Sequence, residues 1–132
     1  MTNLQLEFTT KEFSASATVG ATSIEVVFAG NADMRAVPGL EGFMPNLHAQ
    51  ARRLKVAEVA VDMGGLEFMN SSCFRVFVNW LNWIRELPAD DRYIVRFRAA
   101  PGRHWQRPSL SALACFAVDI VKVDNIDVDP RK

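Results

Sequence analysis

The chain has 132 residues, nearly half of them apolar, with fifteen acidic and fifteen basic side chains. That length suits one domain, and the balanced charge argues against nucleic acid, whose binding needs a net basic surface, and against a polybasic membrane anchor. No apolar run is long enough to span a bilayer, and Met1–Glu7 lacks the basic-then-apolar pattern of a signal peptide, so a cytoplasmic protein is expected.

In that compartment Cys73 and Cys115 would stay reduced and unpaired. The sequence holds no CxxC motif and no His/Cys cluster, so no metal site is expected, nor any other cofactor. Taken in chain order, Leu4, Leu6 and Phe8 alternate with polar residues, as in an opening strand. Phe13, Ala15, Ala17 and Val19 alternate again. Ser23 to Ala29 reads as a strand ending at Gly30-Asn31, which makes a hairpin plausible. Ala32 to Met44 carries Pro38, Gly39 and Gly42 and reads as irregular. Pro45 is expected to open a helix, since its missing N–H costs nothing there. Leu47, Ala51 and Leu54 share one face of that helix, and Arg52, Arg53 and Lys55 crowd its end, where cations suit the dipole.

Val56 to Asp62 is a short strand, and Gly64-Gly65 reads as a turn. Asn70 is a good cap for a second helix, which runs to about Glu86 before Leu87-Pro88 stops it. Tyr93 to Arg98 is a further strand, and Pro101 and Gly102 mark a loop. Pro108-Ser109 opens a third helix to about Ala117, and Ile120 to Val123 gives a last strand. The expected domain is 1–123, followed by a short acidic tail over 124–132. Strands alternating with helices imply a parallel or mixed sheet built from βαβ crossovers.

The stretch from Val59 to Phe77, VAVDMGGLEFMNSSCFRVF, resembles the signature of STAS domains, the family of anti-sigma-factor antagonists and sulfate-transporter tails. That signature is a hydrophobic strand ending in Asp, a turn, then Phe-hydrophobic-Asp-Ser-Ser/Thr-Gly-Leu-Gly opening a helix. Asp33, after Gly30-Asn31-Ala32, echoes the Gly-x-Leu-Asp that follows the family's second strand. The element order matches the family over most of the chain. The resemblance implies an α/β fold with a mixed sheet of four to six strands and three to four helices mainly on one face. It also implies a protein partner in a partner-switching pathway, such as a kinase-like anti-sigma factor, and phosphorylation at the second serine of the pair. That serine is Ser72, with Ser71 beside it. Three positions depart from the pattern: Asn70 stands where the family has Asp, and Cys73 and Arg75 stand where it has Gly. Both a phosphorylation switch and an unswitched binding module fit this motif.

Helical phase defines the surface such a partner would read. Arg75, Asn79, Asn82 and Glu86 form one narrow polar stripe, and nearly everything else on this helix is apolar. Phe77, Trp80, Leu81 and Ile84 centre on the face toward the sheet. Ser72, Val76 and Trp83 fall on one margin, so the expected partner-binding set is Asn70, Ser72, Arg75, Val76 and Trp83. A homodimer is compatible with the same reading.

A second reading is small-ligand or nucleotide sensing through Arg92–Arg107, in which Arg103, His104 and Arg107 would hold an anion. Against it, Arg96 and Arg98 alternate with Val95 and Phe97 and point to the open sheet face, where Glu25 and Glu58 can pair with them. No glycine-rich phosphate loop accompanies them. Catalysis has little support. His48 and His104 lie near no nucleophile motif, and Cys73, the best nucleophile candidate at a helix N-terminus, also suits plain burial. Asp62 and Glu67 flank the expected turn, where carboxylates are common.

Overall fold

A computed structural model of the chain describes residues 5–100 and 102–125; Leu4, Pro101 and residues 126–132 of the expected tail lie outside them. Six strands form one sheet in chain order: β1 (Gln5–Thr9), β2 (Phe13–Val19), β3 (Ser23–Ala32), β4 (Glu58–Met69), β5 (Ile94–Ala99) and β6 (Val121–Asn125). The first three are antiparallel neighbours, and β3 to β6 run parallel. Helices α1 (Val37–Leu54), α2 (Ser71–Arg85) and α3 (Gln106–Phe116) make the three parallel crossovers. Each crossover advances one strand in the same direction, and such connections share one hand, so all three helices fall on the same face.

Burial follows that geometry. Ala15, Ala17, Ile24, Val26, Phe28, Val59, Val61, Met63, Val95 and Phe97 point into the core. Phe13, Phe28, Phe77 and Phe97 run across it as a row of rings 5.4–6.1 Å apart, centroid to centroid. The opposite face carries Ser16, Glu25, Val27, Arg96 and Arg98 toward solvent. There Arg98 pairs with Glu25 at 3.3 Å, and Arg96 with Glu58 at 3.1 Å and Asp124 at 3.0 Å. The pairing expected of Glu25 and Glu58 is therefore present.

Four boundaries differ from the sequence expectation. The segment expected to be irregular is a single 3-10 turn (Met34–Ala36) followed directly by α1, which begins at Val37 instead of Pro45. Leu40, Phe43, Met44, Leu47 and Ala51 recur at helical spacing and are all buried, and that burial outweighs the cost of an internal proline. Pro45 sits on the exposed side of the helix. Gly39 lies within the helix at a point where a side chain would strike the Phe8 ring of β1. Leu54, expected on the buried face, is exposed at the helix end.

β4 does not stop at Asp62. It continues through Gly64 and Gly65 to Met69, still paired with β3, with two register shifts. Each shift sets one extra residue of β4 against β3, as in a β-bulge. Gly30, on β3 opposite this stretch, has positive φ and no room for a side chain against the Glu12 carbonyl. The third helix starts two residues before Pro108, and β6 runs on through Asn125. Asp124, assigned to the tail from sequence, belongs to that strand and binds Arg96.

Candidate functional site

The rim where β3 and β4 end and α2 begins gathers the motif residues. β4 carries Phe68 and Met69 past the end of β5, and the Asn70 N–H donates to the Ala32 carbonyl at 2.9 Å, fixing the chain as it leaves the sheet. Asn70 has extended backbone, and its side-chain oxygen accepts from the Cys73 N–H at 2.9 Å. It thus caps α2, as expected, and satisfies one of the otherwise unpaired N–H groups of the first turn. Ser71 is exposed and Ser72 half-buried in that first turn.

Asp33 stands beside it on the turn after β3. Its carboxylate accepts from the Arg35 N–H at 2.9 Å and pairs with the Arg35 guanidinium at 2.7 Å. That pairing holds its carboxyl below the usual carboxylate range. The Asp33 carbonyl is 3.5 Å from Cys73 Sγ. Cys73 is fully buried, and burial first, then the Asp33 charge, pushes its thiol up to about 11. Of the two readings of Cys73, activation at a helix N-terminus and plain burial, its position fits burial, since desolvation opposes the thiolate. Asp62, which was expected beside a turn, accepts from the Gly64 N–H at 2.8 Å within the first bulge, a structural role.

The remaining predicted residues separate. Arg75 is exposed. Val76, expected on the partner-binding margin, is 5% exposed and belongs to the core. α1 packs along α2 and begins at Val37, eight residues earlier than expected, which lengthens the face that α2 meets. Trp83 is half-buried and packs over His48 of α1, with ring centroids 5.8 Å apart. It lies eleven residues beyond Ser72, about 16 Å along the helix. Eleven residues are about three helical turns, so Ser72 and Trp83 stand on nearly the same side of α2, both half-buried, with Val76 between them buried.

The arginine-rich stretch is dispersed as well. Arg92 donates to the Leu87 and Arg85 carbonyls and pairs with Asp119, while Arg96 and Arg98 are engaged on the open sheet face. Arg103 is half-buried; His104 and Arg107 are exposed at the start of α3. Among the described residues, no group of three His, Cys, Asp or Glu side chains is placed to hold a metal. No described helix is long and apolar enough to cross a membrane.

No protein-family model matches the chain, and no curated protein matches it. Solved structures do. The crystal structure of an anti-sigma factor antagonist from Mycobacterium paratuberculosis superposes with a TM-score of 0.58 at 15% identity, over 83% of this chain and 85% of that one. The fold is STAS-like. The anti-sigma factor antagonist SpoIIAA in its unphosphorylated form gives a TM-score of 0.54 at 15% identity, over 89% of this chain and 91% of that one. The six strands and three helices on one face agree with the sheet and helix arrangement expected from the resemblance.

Three residues of the STAS-like rim were not picked out as surface or support from sequence. Phe68 is 48% exposed and Met34 62% exposed. Phe68 pairs with Asn31 on β3, one step before the Ala32–Met69 pair that ends the ladder, and Met34 opens the turn that follows β3, so both stand at the end of the sheet where α2 begins. Gln106 is fully buried. Its Nε2 donates to the Met63 and Leu66 carbonyls at 2.8 and 2.9 Å, and its Oε1 accepts from the Ala100 N–H at 2.8 Å. It replaces the pairing that β4 loses where β5 ends. The Trp105 indole N–H adds a bond to the Glu67 carbonyl at 2.9 Å. A polar glutamine beside an apolar helix face gave no sequence signal for this role. A shallow groove lined by Met69, Asn70, Ser71, Phe74, Pro108 and Ser109 separates the starts of α2 and α3.

Proposed function

We propose that this chain is a protein-binding regulator of the anti-sigma-factor-antagonist kind, docking a kinase-like partner on the α2 rim and released by phosphorylation of Ser72. The observation that carries the reading is the half-exposed Ser72 in the first turn of a capped helix, on the same rim as exposed Phe68 and Met34. Exposed apolar side chains at the same end of the sheet as a modifiable hydroxyl make a surface that one charge can spoil. A phosphate adds about −1.5 to −2 charges at neutral pH. The free N–H groups and dipole of the first turn tolerate that charge without unfolding the helix, but a partner seated on Phe68 would have to desolvate it.

Sensing of a small ligand through Arg92–Arg107 is the second reading; Arg92, Arg96 and Arg98 are engaged in pairs within the fold, which leaves it to Arg103, His104 and Arg107 before and at the start of α3. The test is capture of partners from the source cell by wild type, Ser72→Ala, Ser72→Asp and Phe68→Ala, with mass spectrometry of partner identity and of Ser71 and Ser72 phosphorylation. The expected result is a kinase-like protein held by wild type and Ser72→Ala and lost by the other two. A partner held equally by all four would place the binding surface elsewhere.

A further inference from the structure

At the far end of α2 a polar chain crosses the seam between helices. The Trp80 indole N–H donates to the Tyr93 hydroxyl oxygen at 2.9 Å. Tyr93 Oη lies 2.7 Å from Nδ1 of His48 on α1. Trp80 and Tyr93 are both buried, and the His48 ring is half-buried beneath Trp83. The proton positions follow from donor counting. An indole N–H can only donate, so the Tyr93 oxygen accepts there, and among the described residues the one other hydrogen-bonding atom at that buried hydroxyl is His48 Nδ1. The tautomer that gives the Tyr93 hydrogen an acceptor is the neutral imidazole with its own hydrogen on Nε2 and Nδ1 accepting.

We propose that this chain is an acid-released latch: above the His48 transition it ties α1 to α2 and the start of β5, and a proton on Nδ1 opens the seam under Trp83. The lone pair on Nδ1 takes a proton from solvent. Nδ1 then carries a hydrogen and can no longer accept, so the Tyr93 hydrogen loses its acceptor inside a dry site. A buried donor without a partner is costly, and a second positive charge arrives near Arg52.

The groups facing the imidazole are the Tyr93 hydroxyl before β5, the Trp83 ring on α2 and, on its own helix, Arg52 one turn on. Asp91, on the turn before β5, lines the same surface groove as Arg52. No carboxylate pairs with His48 among the described residues. Burial first and the Arg52 charge second hold His48 below its ordinary 6.5, and burial pushes Tyr93 up. A base whose folded-state pKa is depressed contributes stability that is present above the unfolded value. That contribution is lost as pH falls from 6.5 through the lower folded-state value.

The test uses the whole chain, titrated from about pH 8 to about pH 5. Ring-proton NMR follows the two histidines, tryptophan emission follows the seam, and hydrogen exchange, corrected for its intrinsic pH dependence, follows the last turns of α1 and α2. The expected His48 midpoint is below 6.5, with emission changing at that same midpoint. Exchange should speed by up to about tenfold for each pKa unit by which His48 is depressed. His48→Asn, which offers an acceptor that takes no proton, should abolish the emission change, and His104→Asn should leave it intact. An emission change that survives His48→Asn overturns the latch. So does wild-type His48 titrating with no change in exchange, a result that stands even if the variant fails to fold.

Discussion

Replacing Gln106 with leucine removes one amide and leaves two buried carbonyls, of Met63 and Leu66, and the half-buried Ala100 N–H without their partner. Each bond is worth about 1 kcal/mol net, and a buried group left unpaired costs about 1–3 kcal/mol. Leucine is close in size and regains some apolar transfer energy, so the loss should be about 3 kcal/mol. For a domain of this size that lowers the midpoint of thermal unfolding by roughly 10 °C. Urea unfolding of wild type and Gln106→Leu measures the difference, with exposed Arg107→Ala as the neighbour that should stay within about 0.5 kcal/mol of wild type. Hydrogen exchange should rise first in Phe68–Asn70, because Gln106 holds the part of β4 that β5 does not reach. A loss below about 1 kcal/mol, or exchange rising evenly through the sheet, would refute the view that this glutamine secures the rim.

Tyr93→Phe should cost about 2 kcal/mol in urea unfolding, since it leaves the buried Trp80 N–H unpaired. In the folded protein at mildly alkaline pH a thiol reagent should modify exposed Cys115 quickly and buried Cys73 only after denaturation; equal rates would mean that the first turn of α2 opens readily. Arg98 and Glu25 are each more than a third exposed, so a double-mutant cycle on that pair should give under about 1 kcal/mol, falling further with added salt.

Much of this fold was readable from periodicity. Alternation marked β2, β3 and β5, and the Asn70 cap and polar stripe placed α2 and its buried face. Two failures share a cause: residues known as breakers were given more weight than the spacing of apolar ones. In α1 the series Leu40, Phe43, Met44, Leu47 was visible, but Pro38, Gly39 and Gly42 argued against a helix before Pro45, and tertiary burial then imposes one. In β4 the core-facing residues after the first bulge are Met63, Leu66 and the partly buried Met69, a spacing of three that looks like neither strand nor turn. The candidate site inherited the second error: a short β4 hid the exposure of Phe68, while Val76, expected on the margin, is covered. Nothing local in the sequence marks Gln106, whose role depends on where β5 ends.

The two bulges of β4 also act as a length adjuster. Each adds a residue to the path from sheet to α2 without turning the inward residues outward, because the core-facing series simply lengthens its step from two to three. Deleting Gly65 would restore ordinary alternation, with Met63 and Leu66 still facing inward, yet draw the start of α2 back by one residue, about 3.3 Å. The reach of Ser72 and Phe68 beyond the sheet can thus be reset in single-residue steps while the core stays as it is. A lineage that changes partners has in this strand a place to alter the depth of the contact without rebuilding the domain.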